Sequence, residues 1–421
     1  MKKNKIIFII SEGIVCRNFL QTNFLNKIDK DNFEIVILSN EILINKFKEY
    51  DSYKVQYPNF ILKIIYKVLR QRFYSINQNK SYKIFRKDPL YKSFKSRARW
   101  ILSFPLSKNI FIYNSLLSIF NYFLNKFNKK NSSFLSKIFD NGSLLISTNP
   151  VGILESSYIF YAKKNEIPSI GYIRSFDNIT TKGFIPNIPD KICVWNYQMF
   201  FEAVNIYNIK ASNVEIIGPL HFNFYNQKFL TNRSKCILYA TVAEELNPDD
   251  VVIVKKLRRD LPLSYKIIVR LHQNDRIERW EKINHIEGIE IFNPSESQKA
   301  AERVSTNDAL FSLHEQLKKC FLIINTASTT TLEALSFKRP SLNIAFSINK
   351  SSKIERFYEL EHYKYLEKSK NVYFCKSYND ILINLKKIYK EGWIEDEYFN
   401  SIVLGPNNTE ELFLNLINNY K

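Results

Sequence analysis

The chain has 421 residues, of which 45% are apolar, and its formal net charge is +20. This length exceeds the 250 to 300 residues or so at which a single hydrophobic core stops growing, so we expect two domains. The apolar run after the basic start is too short for a signal peptide, and the longest uncharged stretch, 109–125, contains four Asn and two Ser, which excludes a membrane-spanning helix. We therefore expect a cytoplasmic protein.

The positive charge is concentrated in one segment. Residues 60–130 contain 16 of the 61 Lys and Arg residues and a single acid, Asp88, so they carry +15 of the net +20. Apolar side chains recur on one face of a predicted helix in this segment, at Leu116, Phe120, Phe123, Leu124 and Phe127. We interpret the segment as a basic helical insert that binds an anionic membrane surface. A solvated basic face on an internal helical subdomain is the alternative, and nucleic acid the disfavoured one.

The five cysteines show no metal-knuckle or dithiol spacing. We expect them to be small buried side chains in a reducing compartment.

Apolar strands alternate with helical segments along the first half of the chain, which favours a parallel sheet. The predicted elements are strands at 5–10, 33–38, 144–147, 169–173, 192–195 and 214–217, and helices at 18–28, 153–163 and 197–207. Gly218-Pro219 then interrupts the pattern.

A second series follows this interruption. Its strands are predicted at 236–240, 266–271, 289–292, 321–325, 341–345 and 372–375, and its helices at 307–319, 329–337 and 380–390, with one more that opens with a cap at Asn247-Pro248-Asp249-Asp250. A last helix at 409–420 is not placed by the sequence. The fold class is therefore α/β, with two doubly wound Rossmann-like domains at 1–218 and 219–421 and a ligand cleft at the strand ends.

The segment 325–334 joins a strand to a helix and contains four consecutive hydroxyl residues, Ser328, Thr329, Thr330 and Thr331. Hydroxyls and backbone N–H groups at a helix start are suited to bind phosphate. Thr330 and Glu333 also have the spacing of a capping box, which would need no ligand. We predict a phosphate site here.

Arg270 and His272 follow a strand of the second series, where a guanidinium and an imidazole can both donate to a diphosphate. We predict that they contribute to the same phosphate site.

Two polar loops of the first domain could bind an acceptor and deprotonate it. In the loop 174–183, Asp177 is a candidate base, although a solvated Asx turn would explain it as well. The loop 11–18 has one glycine where a dinucleotide fingerprint needs three; Glu12 is the alternative base there, and Arg17 a candidate for an anionic acceptor.

These motifs resemble bacterial GT-B glycosyltransferases of capsule and surface-polysaccharide biosynthesis. That group is related to capsular Kdo transferases, sialyltransferases, glycerophosphotransferases and the non-hydrolysing UDP-N-acetylglucosamine 2-epimerase. Arg270-Leu271-His272 resembles a His-Pro motif with Gln273 in place of proline, and Ser328-Thr329-Thr330 resembles the Ser/Thr motif that binds the donor phosphate. The stretch 175–183 resembles Ser-Trp-Asp-Asn-Leu-Thr-x-Lys-Gly with Phe176 in place of tryptophan.

The resemblance implies transfer of a sugar from a UDP- or CMP-linked donor to a glycan or lipid-linked acceptor, with inversion, at the inner face of the cytoplasmic membrane. The implied donor site comprises Arg270, His272, Ser328, Thr329, Thr330 and Glu333. The implied acceptor site comprises Arg17, Asn18, Arg174, Asn178 and Lys182, with Asp177 or Glu12 as base.

The His and Cys residues show no metal-ligand spacing, and cations and a helix dipole can neutralise the leaving phosphate, so we expect neither metal nor cofactor. The alternatives are a sugar-nucleotide 2-epimerase of the same fold, a CDP-glycerol-type glycerophosphotransferase, and a non-catalytic basic scaffold.

Overall fold

The computed structural model describes residues 3–76, 81, 109–225, 235–294, 307–349 and 353–420. The chain divides into two compact units. The first unit comprises Met1–Leu220 together with Asn408–Lys421, and the second comprises His221–Asn407.

The first unit is built on a parallel sheet with the strand order β3-β2-β1-β4-β5-β6-β7. Its strands are β1 (Asn4–Ile10), β2 (Phe33–Ser39), β3 (Asp51–Lys54), β4 (Ser143–Ser147), β5 (Ser169–Tyr172), β6 (Lys191–Val194) and β7 (Val214–Ile216). Residues Ile6 to Ile10 of β1 are fully buried, because a central parallel strand is covered on both faces. The helices are α1 (Cys16–Phe19), α2 (Phe60–Ile76), α3 (Ile110–Lys130), α4 (Ser132–Ile138), α5 (Ile153–Lys164) and α6 (Tyr197–Tyr207).

The second unit is also built on a parallel sheet, with the order β10-β9-β8-β11-β12-β13. Its strands are β8 (Cys236–Ala240), β9 (Lys266–Arg270), β10 (Ile289–Phe292), β11 (Leu322–Asn325), β12 (Ser341–Ile344) and β13 (Val372–Cys375). The helices are α7 (Asp250–Asp260), α8 (Asn307–Lys319), α9 (Thr330–Ser336), α10 (Tyr378–Glu391) and α11 (Glu397–Phe399).

Both sheets have a topological switch point, where the strand order reverses direction. In the first unit it lies between β1 and β4, and in the second between β8 and β11. Ligands of open α/β sheets bind beyond the carboxyl ends of the strands at such a point. The loops that follow these four strands are therefore the places to look for a site.

The last helix, α12 (Thr409–Asn418), belongs to the first unit, which corrects the predicted extent 219–421 of the second domain. Its Phe413 ring lies 5.2 Å from that of Phe24 and 5.9 Å from that of Tyr172, and it is fully buried. Burial of the Phe413 ring in this aromatic cluster stabilises α12 against the first unit, although the helix follows the second unit in the chain.

Two local predictions in the first domain were wrong. The helix predicted at 18–28 is only the short α1, which ends at Phe19, and a separate 3₁₀ turn at Phe24–Lys27. Asn23, which precedes this turn, has a left-handed φ of 58° that a continuous helix does not allow. The edge strand β3 was not predicted, since its four residues contain no apolar alternation.

The predicted basic insert, 60–130, is described only in part, and residues 77–80 and 82–108 lie outside the described residues. Of its predicted apolar stripe, Phe120 and Leu124 are fully buried in α3, which packs against α2 and α5. These two residues therefore belong to the domain core, which corrects their interpretation as membrane-facing, whereas Leu116, Phe123 and Phe127 are partly buried. Within the part of the chain that is described, no helix is long and apolar enough to span a membrane.

Candidate functional site

At the switch point of the first unit, two loops meet around Glu12. One carboxylate oxygen of Glu12 accepts a hydrogen bond from the side-chain amide of Asn149 at 2.8 Å, and the other pairs with the guanidinium of Arg174. Glu12 follows β1, Asn149 follows β4 and Arg174 follows β5. The sheet thus brings together a carboxylate and a cation that the sequence predicted in separate loops.

A second carboxylate, Glu155 of α5, is fully buried beneath this cluster. It accepts hydrogen bonds from the hydroxyl of Ser11 at 2.5 Å, the hydroxyl of Ser147 at 2.8 Å and the backbone N–H of Asn149 at 2.8 Å. Burial raises the pKa of Glu155 to about 7, although the three donors act in the opposite direction. Sequence reasoning missed this residue; an acid among the small residues of the otherwise apolar helix was its signal.

Asn178 is buried to 99%, and nothing in the described part of the chain forms a hydrogen bond with either polar atom of its side-chain amide. The side-chain amide oxygen of Asn149 also has no hydrogen-bond partner among the described residues. Buried amides are almost always hydrogen-bonded, so these two groups are candidates to bind a polar ligand. Asn178 begins a π-helical turn, Asn178–Lys182, and such turns occur frequently at functional sites.

The carboxylate of Asp177 is engaged by its own turn. It accepts hydrogen bonds from the hydroxyls of Ser175 at 2.6 Å and Thr181 at 2.9 Å, and the ammonium of Lys182 lies 3.5 Å away. This is the turn-stabilising arrangement that the sequence left open as the alternative to catalysis.

Arg17 and Asn18, the other predicted acceptor residues, lie in α1. Asn18 is fully buried, and its side-chain oxygen lies 3.4 Å from the hydroxyl of Tyr172. Asn18 thus ties α1 to β5.

In the second unit, His272 follows β9 with a defined orientation. Its backbone N–H donates to the hydroxyl of Thr241 at 2.8 Å, and its ring Nδ1 accepts from the backbone N–H of Asn274 at 3.0 Å. Because Nδ1 is an acceptor, the neutral ring carries its proton on Nε2. His272 can therefore present an N–H donor to an anion.

The Arg270 guanidinium contacts α8, and its contribution to the phosphate site stays a prediction. Its guanidinium donates to the side chains of Ser312 at 3.1 Å and Gln316 at 2.9 Å, both in α8. Side chains alternate between the faces of a strand, so Arg270 shares the face of Ile268, which packs under α8.

Two aspartates support the loop after β8. Asp275 accepts hydrogen bonds from the hydroxyl of Thr241 at 2.7 Å and the indole N–H of Trp280 at 3.0 Å. Asp250 is fully buried and accepts from the hydroxyl of Tyr239 at 2.7 Å, and Arg279 pairs with both aspartates. Burial raises the pKa of Asp250 to about 7 against the effects of Arg279 and Tyr239.

The predicted cap is present at Asn247, whose side-chain oxygen accepts from the backbone N–H of Asp249 at 3.1 Å, although α7 itself begins only at Asp250. The Asp249 side chain makes no cap hydrogen bond; it accepts from the backbone N–H of Ile348 at 2.7 Å. Asn247 donates to Asp250 at 2.7 Å and to the hydroxyl of Thr326 at 2.9 Å, and so connects the loops after β8 and β11.

In the loop after β11, hydrogen bonds hold the hydroxyl residues in a defined conformation. Ser328 and Thr330 are half-buried, and their hydroxyl oxygens lie 2.6 Å apart. Thr329 lies between them, immediately before α9. Ala327 has a left-handed φ of 45°, and its N–H donates to the hydroxyl of Tyr358 at 2.8 Å. A non-glycine residue in this conformation is a small strain that the surrounding contacts must hold.

Glu333 is not part of a capping box, so that interpretation was wrong. The helix makes no side-chain cap, and the Glu333 carboxylate lies 3.5 Å from Nε2 of His221. Both side chains are buried, so this pair anchors α9 inside the second unit instead of binding at its start.

The expectation that no metal is needed stays a prediction. Among the residues described, no group of three or more His, Cys, Asp or Glu side chains is arranged to hold a metal ion.

No protein-family model matches the chain, and no curated protein matches its sequence. Solved structures do match in fold. The UDP-GlcNAc 2-epimerase of Methanocaldococcus jannaschii is similar over 99% of this chain and 100% of its own, with a TM-score of 0.52 and 11% identity. The S. aureus MnaA–UDP structure is similar over 99% of this chain and 96% of its own, with a TM-score of 0.53 and 13% identity.

The calicheamicin glycosyltransferase CalG4 is similar over 100% of this chain and 98% of its own, with a TM-score of 0.50 and 9% identity. These likenesses, with the two parallel sheets, confirm the predicted α/β fold of the GT-B type. At such low identities they establish the fold.

Proposed function

We propose that the protein is a glycosyltransferase that moves a sugar from a nucleotide-sugar donor to an acceptor hydroxyl, with inversion. The observation that carries the proposal is the placement of polar side chains at both switch points of a fold shared with CalG4, with a UDP-GlcNAc 2-epimerase and with MnaA in its UDP co-structure. Function belongs to the site and not to the fold, so each half of the site is argued from its own residues.

The second unit is proposed to bind the donor. The hydrogen-bond donors lie in the loops after β9 and β11, the strands on either side of β8. They are the Nε2–H of His272 and the hydroxyls of Ser328, Thr329 and Thr330. Hydrogen bonds from these neutral donors would stabilise the negative charge that develops on the leaving phosphate. The donor is proposed to be UDP- or CMP-linked, and no metal is included.

The first unit is proposed to bind the acceptor, with Glu12 as the base. Glu12 lies at the switch point and its side chain is 43% exposed, whereas the side chain of Asp177 is 24% exposed and accepts hydrogen bonds from its own turn. Asn149 and Arg174 hold the Glu12 carboxylate in place, and the buried amide of Asn178 is proposed to bind the acceptor. A carboxylate so placed can remove the hydroxyl proton as the oxygen attacks the anomeric carbon.

The acceptor is proposed to be a surface-polysaccharide or lipid-linked glycan at the inner face of the cytoplasmic membrane. Support comes from the charge of 60–130 and from exposed apolar side chains on α2 and α3, among them Phe60, at 76% exposure, and Phe111, at 78%. Basic and apolar groups together give reversible binding to anionic lipid.

A sugar-nucleotide 2-epimerase is the second candidate, and the match to the M. jannaschii UDP-GlcNAc 2-epimerase favours it. An epimerase acts on the nucleotide sugar alone, whereas a transferase needs an acceptor. Incubation of the purified protein with UDP-GlcNAc and no acceptor separates the two: a 2-epimer detected by NMR would replace the transferase proposal.

The donor proposal is tested by thermal shift with UDP-, CMP-, CDP- and GDP-linked sugars, followed by calorimetry with the best ligand. His272→Ala and Ser328→Ala each remove a hydrogen bond to a charged group, worth about 1.5–3 kcal/mol, so the affinity should fall by roughly 10- to 100-fold. His285→Ala is the matched control, because His285 is an exposed histidine of the same unit. Unchanged donor affinity in both site variants would refute the assignment of these residues to a phosphate site.

The base assignment is tested by two amide substitutions. Glu12→Gln should abolish transfer with donor affinity retained, because an amide cannot accept the proton. Asp177→Asn should lower the melting temperature and leave measurable transfer. The opposite pattern would assign the base to Asp177.

A further inference from the structure

We propose that Cys236 and Cys320 form a reversible disulfide, which makes the amino-terminal edge of the second sheet a redox-sensitive modification site. The two sulfur atoms lie 3.0 Å apart, although the residues are separated by 84 positions in the chain. That separation is about 1 Å longer than a disulfide bond. No cysteine belongs to the proposed catalytic machinery, so the pair serves no role already assigned.

The backbone brings the two cysteines within disulfide range. Cys236 is the first residue of β8, and Cys320 lies two residues before β11, the neighbouring strand. The N–H of Phe321 donates to the carbonyl of Cys236 at 2.9 Å, so the sheet ladder itself fixes the two chains side by side. By the register of β8 and β11, Cys320 lies one residue from the position opposite Cys236, and the two side chains converge so that their sulfur atoms lie 3.0 Å apart.

The two thiols differ in exposure and in pKa, and these differences indicate which of them reacts first. Cys236 is partly exposed, whereas Cys320 is 1% exposed. The hydrogen bond from Cys320 lowers the pKa of Cys236, with further help from Lys266 and Lys319, while burial raises the pKa of Cys320 well above its usual value. The accessible thiol is thus the one that forms a thiolate more readily, which is the property of an attacking cysteine.

The reaction is thiol–disulfide exchange with a low-molecular-weight disulfide such as oxidised glutathione. The Cys236 thiolate attacks one glutathione sulfur, forms a mixed disulfide and releases one glutathione thiolate. The Cys320 sulfur then attacks the Cys236 sulfur, its proton passes to the departing glutathione, and the 236–320 disulfide forms. Two electrons pass to glutathione, and excess reduced thiol reverses both steps.

The test uses the full-length protein, reduced and then exposed to oxidised glutathione at neutral pH. Thiol titration under denaturing conditions should fall from the five cysteines of the chain to three, and a non-reducing peptide map should join the peptides of Cys236 and Cys320. Cys320→Ala should accumulate a glutathione adduct on Cys236. Cys236→Ser should react far more slowly, because the remaining thiol is buried.

Cys375→Ser is the matched control, since Cys375 is a buried strand cysteine of the same unit and should not change the 236–320 link. Five thiols that persist in the wild-type protein would overturn the proposal. So would a disulfide that joins another pair, or a Cys236→Ser variant that loses thiols as fast as the wild type. The wild-type peptide map decides the matter even where a variant fails to fold.

Discussion

Replacing Glu155 by glutamine should remove a pH dependence from the stability of the first unit. Glu155 is fully buried, and burial raises its pKa from 4.5 to about 7. The native state therefore binds more protons than the unfolded state between these two values, so its stability falls as the pH rises through this window. Each pKa unit corresponds to about 1.4 kcal/mol, which gives a loss of about 3 kcal/mol by pH 8.

Glutamine is neutral at every pH and has nearly the shape of the acid. It can still accept from Ser147 and the Asn149 N–H, while the Ser11 hydroxyl can rotate to accept from the new amide. We therefore expect Glu155→Gln to be similar to the wild type near pH 5 and more stable than it at pH 8, by about 2 to 3 kcal/mol.

The protein is equilibrated in urea at pH 5, 6.5 and 8, and exposed amides are then labelled by a short deuterium pulse at one fixed pH. Mass spectrometry of peptides from β4 gives the unfolded fraction of the first unit at each urea concentration. Peptide resolution is needed because a chain with two units does not have to unfold in one step. The difference between variant and wild type cancels the contribution of Asp250, whose pKa is also raised but which lies in the other unit. Glu49→Gln, at an exposed glutamate, is the control. Parallel curves for Glu155→Gln and the wild type would show that Glu155 does not ionise in this window.

Two further perturbations follow from the contacts. Tyr358→Phe leaves the Ala327 N–H without its acceptor at 2.8 Å, so it should destabilise the second unit by about 1–3 kcal/mol and weaken donor binding measured by calorimetry. A donor affinity equal to that of the wild type would show that this hydrogen bond does not support the donor site. Phe60→Ser should reduce sedimentation with anionic liposomes at low salt, whereas Leu263→Ser, at a residue of similar exposure in the second unit, should not; equal effects would end the membrane proposal.

The strands were predictable from sequence because central parallel strands are buried on both faces and appear as uninterrupted apolar runs. Residues 6–10 and 322–324 are of this kind. The edge strand β3 has only partly buried or exposed residues, so nothing in its sequence separated it from a loop. Burial, and not propensity, is the signal that sequence patterns carry.

The sequence predicted which loops form the site, but not which side chains contact one another in it. Glu12 and Asn149 are 137 residues apart, and they meet only because β4 inserts beside β1. Strand order cannot be obtained from the pattern of apolar residues, so Asn149 and Glu155 were missed although Glu12 was found.

The buried aspartates also determine the direction of the hydrogen bonds that reach the proposed donor site. An ionised carboxylate can only accept, so Asp275 requires the hydroxyl of Thr241 to donate inward. The Thr241 oxygen is then left with lone pairs only, and it accepts the backbone N–H of His272 at 2.8 Å. An asparagine at 275 could present its N–H₂ group to Thr241, and the hydroxyl proton would then have no acceptor on either side, because the His272 N–H only donates. The acid, which is costly to bury, is thus the group that makes a single orientation of this loop favourable.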